Sequence, residues 1–181
     1  NNKDFKKIKI FLKDDQNSLI LLNHALSSDG IILDIESNYT FNKPLVIYNF
    51  FDNKSNKKII NNKFFISLGA NSKLNLIDYY KPDTNVKYFY NSVNNYTLKK
   101  NAILKKFSIN SNLDNSYNYH STKVKSFSNS IFENFLLSLG SNLIKNEVHC
   151  DLQESYSSCF INSAMLLENK QHHELKTNVN H

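Results

Sequence analysis

From residue 64 onward the chain reads as short apolar alternations separated by small polar corners. Segments 64–68, 74–79, 96–98, 103–109, 130–139, 143–152 and 159–167 are dense in Ile, Leu, Phe, Tyr, Thr and Val. Successive side chains on a strand point to opposite faces, so this period of two predicts strands. Before residue 64 the pattern differs. Leu19, Leu22 and Leu26 recur at spacings of three and four, which predicts a helix over 17–27 with those leucines on one face. Asp14 or Asp15 is placed to cap its start, and Gly30 lies just past its end. Ser28-Asp29-Gly30 then turns the chain into a strand at 31–35. Pro44 opens an apolar run at 45–51, and the polar stretch 52–63 reads as a loop.

The separators decide between all-β architectures. Asn-Gly and Asp-Gly pairs, on which two-residue hairpins depend, are absent after residue 30. Instead a corner recurs as Gly69-Ala70-Asn71-Ser72, Lys100-Asn101-Ala102, Ser128-Asn129-Ser130, Gly140-Ser141-Asn142 and Ser157-Ser158. Each precedes an apolar alternation, in a loose repeat without fixed period. Asn tolerates left-handed backbone and bonds its neighbours, so it suits such corners. This pattern predicts a β-solenoid, with an antiparallel β-sandwich as the alternative. From alternation alone the core candidates are Phe107, Ile109, Phe135, Leu137, Val148, Cys150 and Leu152.

Composition narrows the function. With 181 residues and 40% hydrophobic content the chain is large enough for one domain with a core. The net charge is +6, but all the basic residues are Lys, whereas nucleic-acid readers use Arg for bidentate contacts. Abundant Asn, Lys, Ile, Tyr and Phe together fit AT-rich codons, so the basicity reads as a solvated surface and not as a nucleic-acid patch. No apolar run reaches the ~18 residues that span a bilayer, and the polar start lacks a secretory pattern. The missing initiator Met leads us to expect a piece of a longer chain.

Candidate chemistry is sparse. No glycine-rich phosphate loop, nucleophile elbow or CxxC pair is present. Cys150 and Cys159 make no disulfide framework, and a reducing compartment is the default. Cys150 shares a strand face with Val148 and Leu152, the position of a small core residue. The last eleven residues hold three of the six histidines. On one strand His173, Leu175, Thr177, Val179 and His181 share a face, and His172, Glu174, Lys176, Asn178 and Asn180 share the other. His173 and His181 are then about 26 Å apart at ~3.3 Å per residue, too far to share a metal. Tyr79, Tyr80, Tyr88 and Tyr90 offer a second reading, a sugar-stacking surface, which needs a groove of acidic residues where only isolated acids such as Asp78 and Glu133 occur.

The residues in order carry a family resemblance. Gln171-His172-x-Glu174-x-x-Thr177-x-x-x-His181 resembles the QHxDxxTxxxH signature of the SufD family of iron–sulfur cluster assembly scaffolds. Glu174 stands for the family's Asp, and Lys176 sits where the family often has His. Ser138-Leu139-Gly140-x-x-Leu143-x-Lys145-Asn146-x-Val148 resembles the segment SLGGxLxRNxx, with Lys for Arg and Ser141 for the second Gly. The run from Cys159 to Leu167 is similar to CxLNGLYL, and Leu68-Gly69-Ala70-Asn71-Ser72 to LGENS. Asn23-His24-Ala25-Leu26 with Asp29-Gly30-Ile31 looks like the family's helix-to-strand entry, and Lys43-Pro44-Leu45 like KPIH. The sister protein SufB shares the fold, and the Gln-His-x-acid form favours SufD.

The resemblance implies a right-handed parallel β-helix over 31–181, truncated at its C-terminus, after an entry segment over 1–30 with a short helix. It implies a non-catalytic scaffold acting with a SufB-like paralogue and a SufC-like ATPase, through contact regions largely beyond residue 181. It marks Gln171, His172, Glu174, Thr177 and His181 as structural or interface residues. No catalytic residue, resident cofactor or metal ligand is assigned. An iron–sulfur cluster is handled transiently by the complex, and a flavin there is compatible with the resemblance but carried by no residue of this chain. The expected compartment is the bacterial cytoplasm, or alternatively a plastid or other organelle with an AT-rich genome. No nucleic acid or membrane partner is expected. The remaining alternative is a carbohydrate-binding or carbohydrate-cleaving β-helix.

Overall fold

In the computed structural model every described strand pairing is parallel. That excludes the antiparallel sandwich. The structure describes residues 17–27, 29–82, 86–111 and 116–181. Among these residues one α-helix, α1 (Ser18–Leu26), leads into β1 (Asp29–Ile35), β2 (Leu45–Phe51), β3 (Lys58–Leu68), β4 (Lys73–Pro82), β5 (Tyr88–Leu98) and β6 (Ile103–Ser111). There follow β7 (Ser116–Ser126), β8 (Ile131–Leu139), β9 (Leu143–Leu152), β10 (Ser158–Leu166) and β11 (His172–Asn180). Odd-numbered strands form one sheet in the order β1-β3-β5-β7-β9-β11, and even-numbered strands form the other. Each coil therefore gives one strand to each sheet, and about five coils stack into a β-solenoid. The inward row Phe64, Asn94, Thr122, Val148, Thr177 steps along the axis at unequal sequence intervals, which is why the repeat has no fixed period.

The corners work as their asparagines predict. Asn38, Asn71, Asn101 and Asn129 have φ of 65°, 58°, 58° and 54°, in the left-handed region. In that conformation each backbone N–H reaches the next coil: Asn71 donates to the Lys100 carbonyl at 2.9 Å and Asn101 to that of Ser128 at 2.9 Å. Their side chains continue the ladder, with Asn71 Nδ2 donating to Asn38 Oδ1 at 2.9 Å and Asn101 Nδ2 to Asn71 Oδ1 at 2.7 Å. At Gly69 a Cβ would lie 2.5 Å from the Ser37 backbone nitrogen, so the tight corner there requires glycine.

Helix α1 forms where predicted but turns a different face inward. Asp14 and Asp15 lie outside the described residues; the cap is Asn17, whose Oδ1 accepts from the Leu19 N–H at 2.9 Å. Ile20 and Asn23 are buried, whereas Leu26 is 58% exposed. The helix lies on the outer face of the odd-numbered sheet, where Ile20 packs with Val93 and Tyr119. Asn23 Nδ2 donates to the carbonyls of Asn62 (3.0 Å) and Asn91 (2.8 Å), and Asn91 Nδ2 returns a bond to the Leu19 carbonyl at 2.8 Å. Helical periodicity places a face but does not record polar anchors, so Asn23 was invisible to it. Asn23→Ala is expected to cost about 1–3 kcal/mol through the orphaned strand carbonyls, read as a shift of the denaturant midpoint.

Three further expectations need correction. The segment 52–63 is only partly loop: after a 3-10 turn at Asn53–Ser55, strand β3 starts at Lys58, where pairing with β5 overrides polar composition. Strand β7 was not predicted, because Ser116, Asn118, His120 and Thr122 are polar and yet face the interior. On β6 and β8 the parity is opposite to expectation. Leu104, Lys106, Ser108 and Asn110 face inward on β6, and Phe132, Asn134, Leu136 and Ser138 on β8. Phe107 is 51% exposed, and its ring meets Phe135 on the outside at 5.5 Å between centroids. Ile109 and Leu137 share that outer face and are half-buried. Val148 and Cys150 are buried as expected, and Leu152 packs against their cluster. The apolar core thus fills part of the interior, from Leu68, Leu98 and Leu104 to Phe132, and polar side chains fill the next rows.

Candidate functional site

The signature residues lie along one strand. Gln171 closes the turn before β11, its Oε1 accepting from the Glu168 N–H at 2.9 Å and its own N–H donating to the Glu168 carbonyl at 3.2 Å. The His172 N–H donates to the Asn142 carbonyl at 3.0 Å, and the side chain is exposed. Register places His173, Leu175, Thr177 and Val179 above the inward residues Ile144, Asn146, Val148 and Cys150, the parity expected from the alternation. The His173 ring bonds the Gly140 carbonyl at 2.7 Å through Nε2. Glu174 points outward to Lys145 at 3.5 Å, and Lys145 also meets Glu147 at 3.3 Å. Glu147 in turn accepts from Tyr119 (2.7 Å) and Asn17 (3.2 Å), so Glu174 ends a polar chain that runs back to the cap of α1. His181 follows β11 and is exposed. The strand therefore separates these side chains: Glu174 is outward, Thr177 inward, and His181 beyond the strand.

The described residues hold no group of three or more His, Cys, Asp or Glu placed to bind a metal. His149 faces away from Cys150 and bonds Asp151 at 3.0 Å and Asn180 at 3.2 Å. Of the tyrosines offered for sugar stacking only Tyr79 lies on the outer face, half-buried against Tyr48. Tyr80, Tyr88 and Tyr90 are buried, Asp78 is buried, and Glu133 pairs with Lys105 at 2.9 Å.

What the pattern of positions did not reveal is a polar cluster sealed inside the coils. Asp78 on β4 and Lys106 on β6 form an ion pair at 3.4 Å with both side chains 4% exposed. Asp78 accepts from Tyr80 Oη at 2.7 Å and Asn49 Nδ2 at 2.7 Å, and Lys106 donates to Ser108 Oγ at 2.7 Å. Lys106 also lies over the Tyr96 ring at 5.9 Å. From the opposite sheet His120 meets Tyr80 and Tyr90 edge-on or tilted, at 5.0 and 5.6 Å, and its Nδ1 bonds Ser92 Oγ at 2.8 Å. Burial first, and the Lys106 charge second, push the His120 pKa down to about 3. Burial, with the nearby Asp78 charge, raises Tyr80, Tyr90 and Tyr96 above the ordinary phenol range. The imidazole and the phenols are thus neutral at physiological pH.

A cavity of about 10 Å³ lies among Tyr80, Lys106, Asn110, His120, Thr122 and Asn146, room for about one water molecule. His120 Nε2, Asn110 Nδ2 and Oδ1, and Asn146 Nδ2 are buried without a protein partner. Polar atoms without partners in a water-sized space are what a buried water satisfies. The signal was present in the sequence as the unbroken polar alternation Ser116, Asn118, His120, Thr122, but alone it reads as a solvated strand.

A family model described as SUF system FeS cluster assembly, SufBD core domain, matches residues 50–181, more than half of the sequence. The chain belongs to the SufBD family. The match opens at the end of β2 and extends past β11, so the SufBD core covers most of the solenoid, the buried polar cluster and the signature strand. Family membership assigns the chain to iron–sulfur cluster assembly at the level common to SufB and SufD. No curated protein and no solved structure matches it. Among the described residues no helix is long and apolar enough to cross a membrane.

Proposed function

We propose that this SufBD-family chain is a SufD-type, non-catalytic scaffold subunit that works with a SufB-like paralogue and a SufC-like ATPase. The observation that carries the reading is the SufBD core match over residues 50–181. Within it, the Gln171-His172-x-Glu174 form supports the SufD branch. The buried cluster supports a scaffold role: Asp78 and Lys106 neutralise one another, and His120 is held neutral behind strands. General acid–base work needs a group near the operating pH and within reach of substrate. The iron–sulfur cluster is handled transiently by the assembled complex, and no resident cofactor belongs to these coils. The compartment is the cytoplasm or an organelle stroma.

Co-expression of the full-length protein with SufB-type and SufC-type subunits tests the reading. A stable complex that survives size-exclusion chromatography is the expected result. Failure to copurify with either subunit overturns it, and replacement of the SufB-type subunit instead of partnership with it reassigns the chain to the SufB branch.

A further inference from the structure

The two sheets differ in what their outer faces carry. The odd-numbered sheet is covered by α1, and beyond the helix its outer residues are polar, among them Lys145, Glu147 and His149. No described helix covers the even-numbered sheet, yet its outer face is apolar. Register sets Val46, Ile77, Phe107 and Phe135 in one outward row across β2, β4, β6 and β8. Tyr48, Tyr79, Ile109 and Leu137 form the next row. Phe107 is 51% exposed although β6 lies between β4 and β8, so its exposure is not that of an edge strand. Inside, the same strands place Lys106, Ser108, Asn110 and Asn134. A strand that met only water on its outer face would carry the reverse pattern, and parallel sheets are as a rule covered on both faces. A contiguous apolar patch with a polar rim marks a contact surface.

The shape of the patch selects what fits it. The two rows form a band that runs along the solenoid axis. Neighbouring strands are ~4.8 Å apart, and a helix advances ~5.4 Å per turn. A helix laid along the band therefore sets about one turn on each strand, and about ten residues span β2 to β8. A groove of about 350 Å³ opens beside Phe107 and Phe135, with the Lys105–Glu133 pair on its wall. The rim is basic. The outward row of β4 reads Lys73, Asn75, Ile77, Tyr79, Lys81, so a lysine stands at each end of it. Lys105 adds a third, and Glu133, the one acid among the outward residues of β4, β6 and β8, is already paired with it. A second copy of the chain would bring the same lysines and a net charge of +6 against this rim, and like charges oppose such pairing.

We propose that the outer face of β4, β6 and β8 docks an amphipathic α-helix of another protein, laid along the solenoid axis. Its apolar residues, at helical spacings of three and four, rest on Phe107, Ile109 and their neighbours. Acidic residues on its flanks meet Lys73, Lys81 and Lys105. Phe107 is the anchor, because it is central to the band and the most exposed of the outward apolar residues on these three strands. This surface does not depend on the SufD reading.

The test titrates the folded protein into a fluorescein-labelled synthetic peptide with leucines at helical spacing and glutamates elsewhere, and follows anisotropy at low salt. A second peptide has lysine in place of every glutamate. The wild type is expected to bind the acidic peptide and not the basic one. Phe107→Ser and Lys81→Glu should each weaken binding about tenfold, and added salt should weaken it further. Both side chains are exposed, so circular dichroism of the two variants should match the wild type. The proposal is overturned if the two peptides bind alike, if neither binds, or if Phe107→Ser binds as tightly as the wild type. A dimer in sedimentation that Phe107→Ser abolishes would give the face to a second copy instead. Capture by phosphatidylserine vesicles without peptide binding would give it to a lipid surface, and either result also overturns the proposal.

Discussion

Lys106→Met is expected to destabilise the solenoid by about 3–5 kcal/mol. The substitution keeps the length of the side chain and removes its charge. Asp78 is then left buried with only Tyr80 and Asn49 as donors. An uncompensated carboxylate in a sealed interior costs more than the ion pair itself contributes, because its desolvation is no longer offset. The double variant Lys106→Met with Asp78→Asn should recover most of the loss, since Asn can still accept from Tyr80. Chemical denaturation of wild type, both single variants and the double gives the coupling directly. Additive effects, with no recovery in the double, would show that the two groups do not act as a pair.

The second large effect is acid sensitivity through His120. Its folded pKa is about 3, against an ordinary histidine value of 6.5. The folded state thus refuses a proton that the unfolded chain takes up. Stability from keeping this ring neutral is complete above pH 6.5 and is lost as the pH falls towards 3. The slope approaches about 1.4 kcal/mol per pH unit, which amounts to about 2 kcal/mol between pH 7 and pH 5. Burial sets the sign and the groups that face the ring agree with it: the Lys106 charge opposes a second cation, Tyr80 and Tyr90 are neutral, and Ser92 bonds Nδ1. Unfolding curves for wild type and His120→Gln across this range isolate the contribution, because the other histidines are common to both. Parallel curves would mean that His120 titrates like a solvated residue.

Both predictions rest on residues that sequence pattern misplaced. Lys105 and Lys106 look like one solvated basic pair. The strand sends Lys105 outward to Glu133 and Lys106 inward to Asp78. Tyr79 and Tyr80 divide in the same way, and only Tyr80 is buried. Alternation establishes that neighbours part company, but it cannot say which of the two faces is inside when both carry polar and apolar groups. On β6 the more apolar face, with Phe107 and Ile109, is the outer one. Hydrophobicity alone therefore assigned that strand the wrong way round, whereas β9, with Val148 and Cys150 inside, was assigned correctly.

The corners and the family signature were legible in the chain itself. Asn at the corners, short apolar runs and the absence of tight-turn pairs favoured a solenoid over a sandwich, because each is a local property of backbone and side chain, and Asn71, Asn101 and Asn129 are left-handed as such corners require. The ordered motifs from Leu68 to His181 place it in its family for the same reason: they are read residue by residue. Only the stacked coils decided that Asp78 and Lys106 pair beside His120, that Asn23 anchors the helix, and that Cys159 packs against the cluster that holds Cys150. These contacts join residues of different strands and coils. Their energies depend on burial, and burial is a property of the whole stack that no local pattern carries.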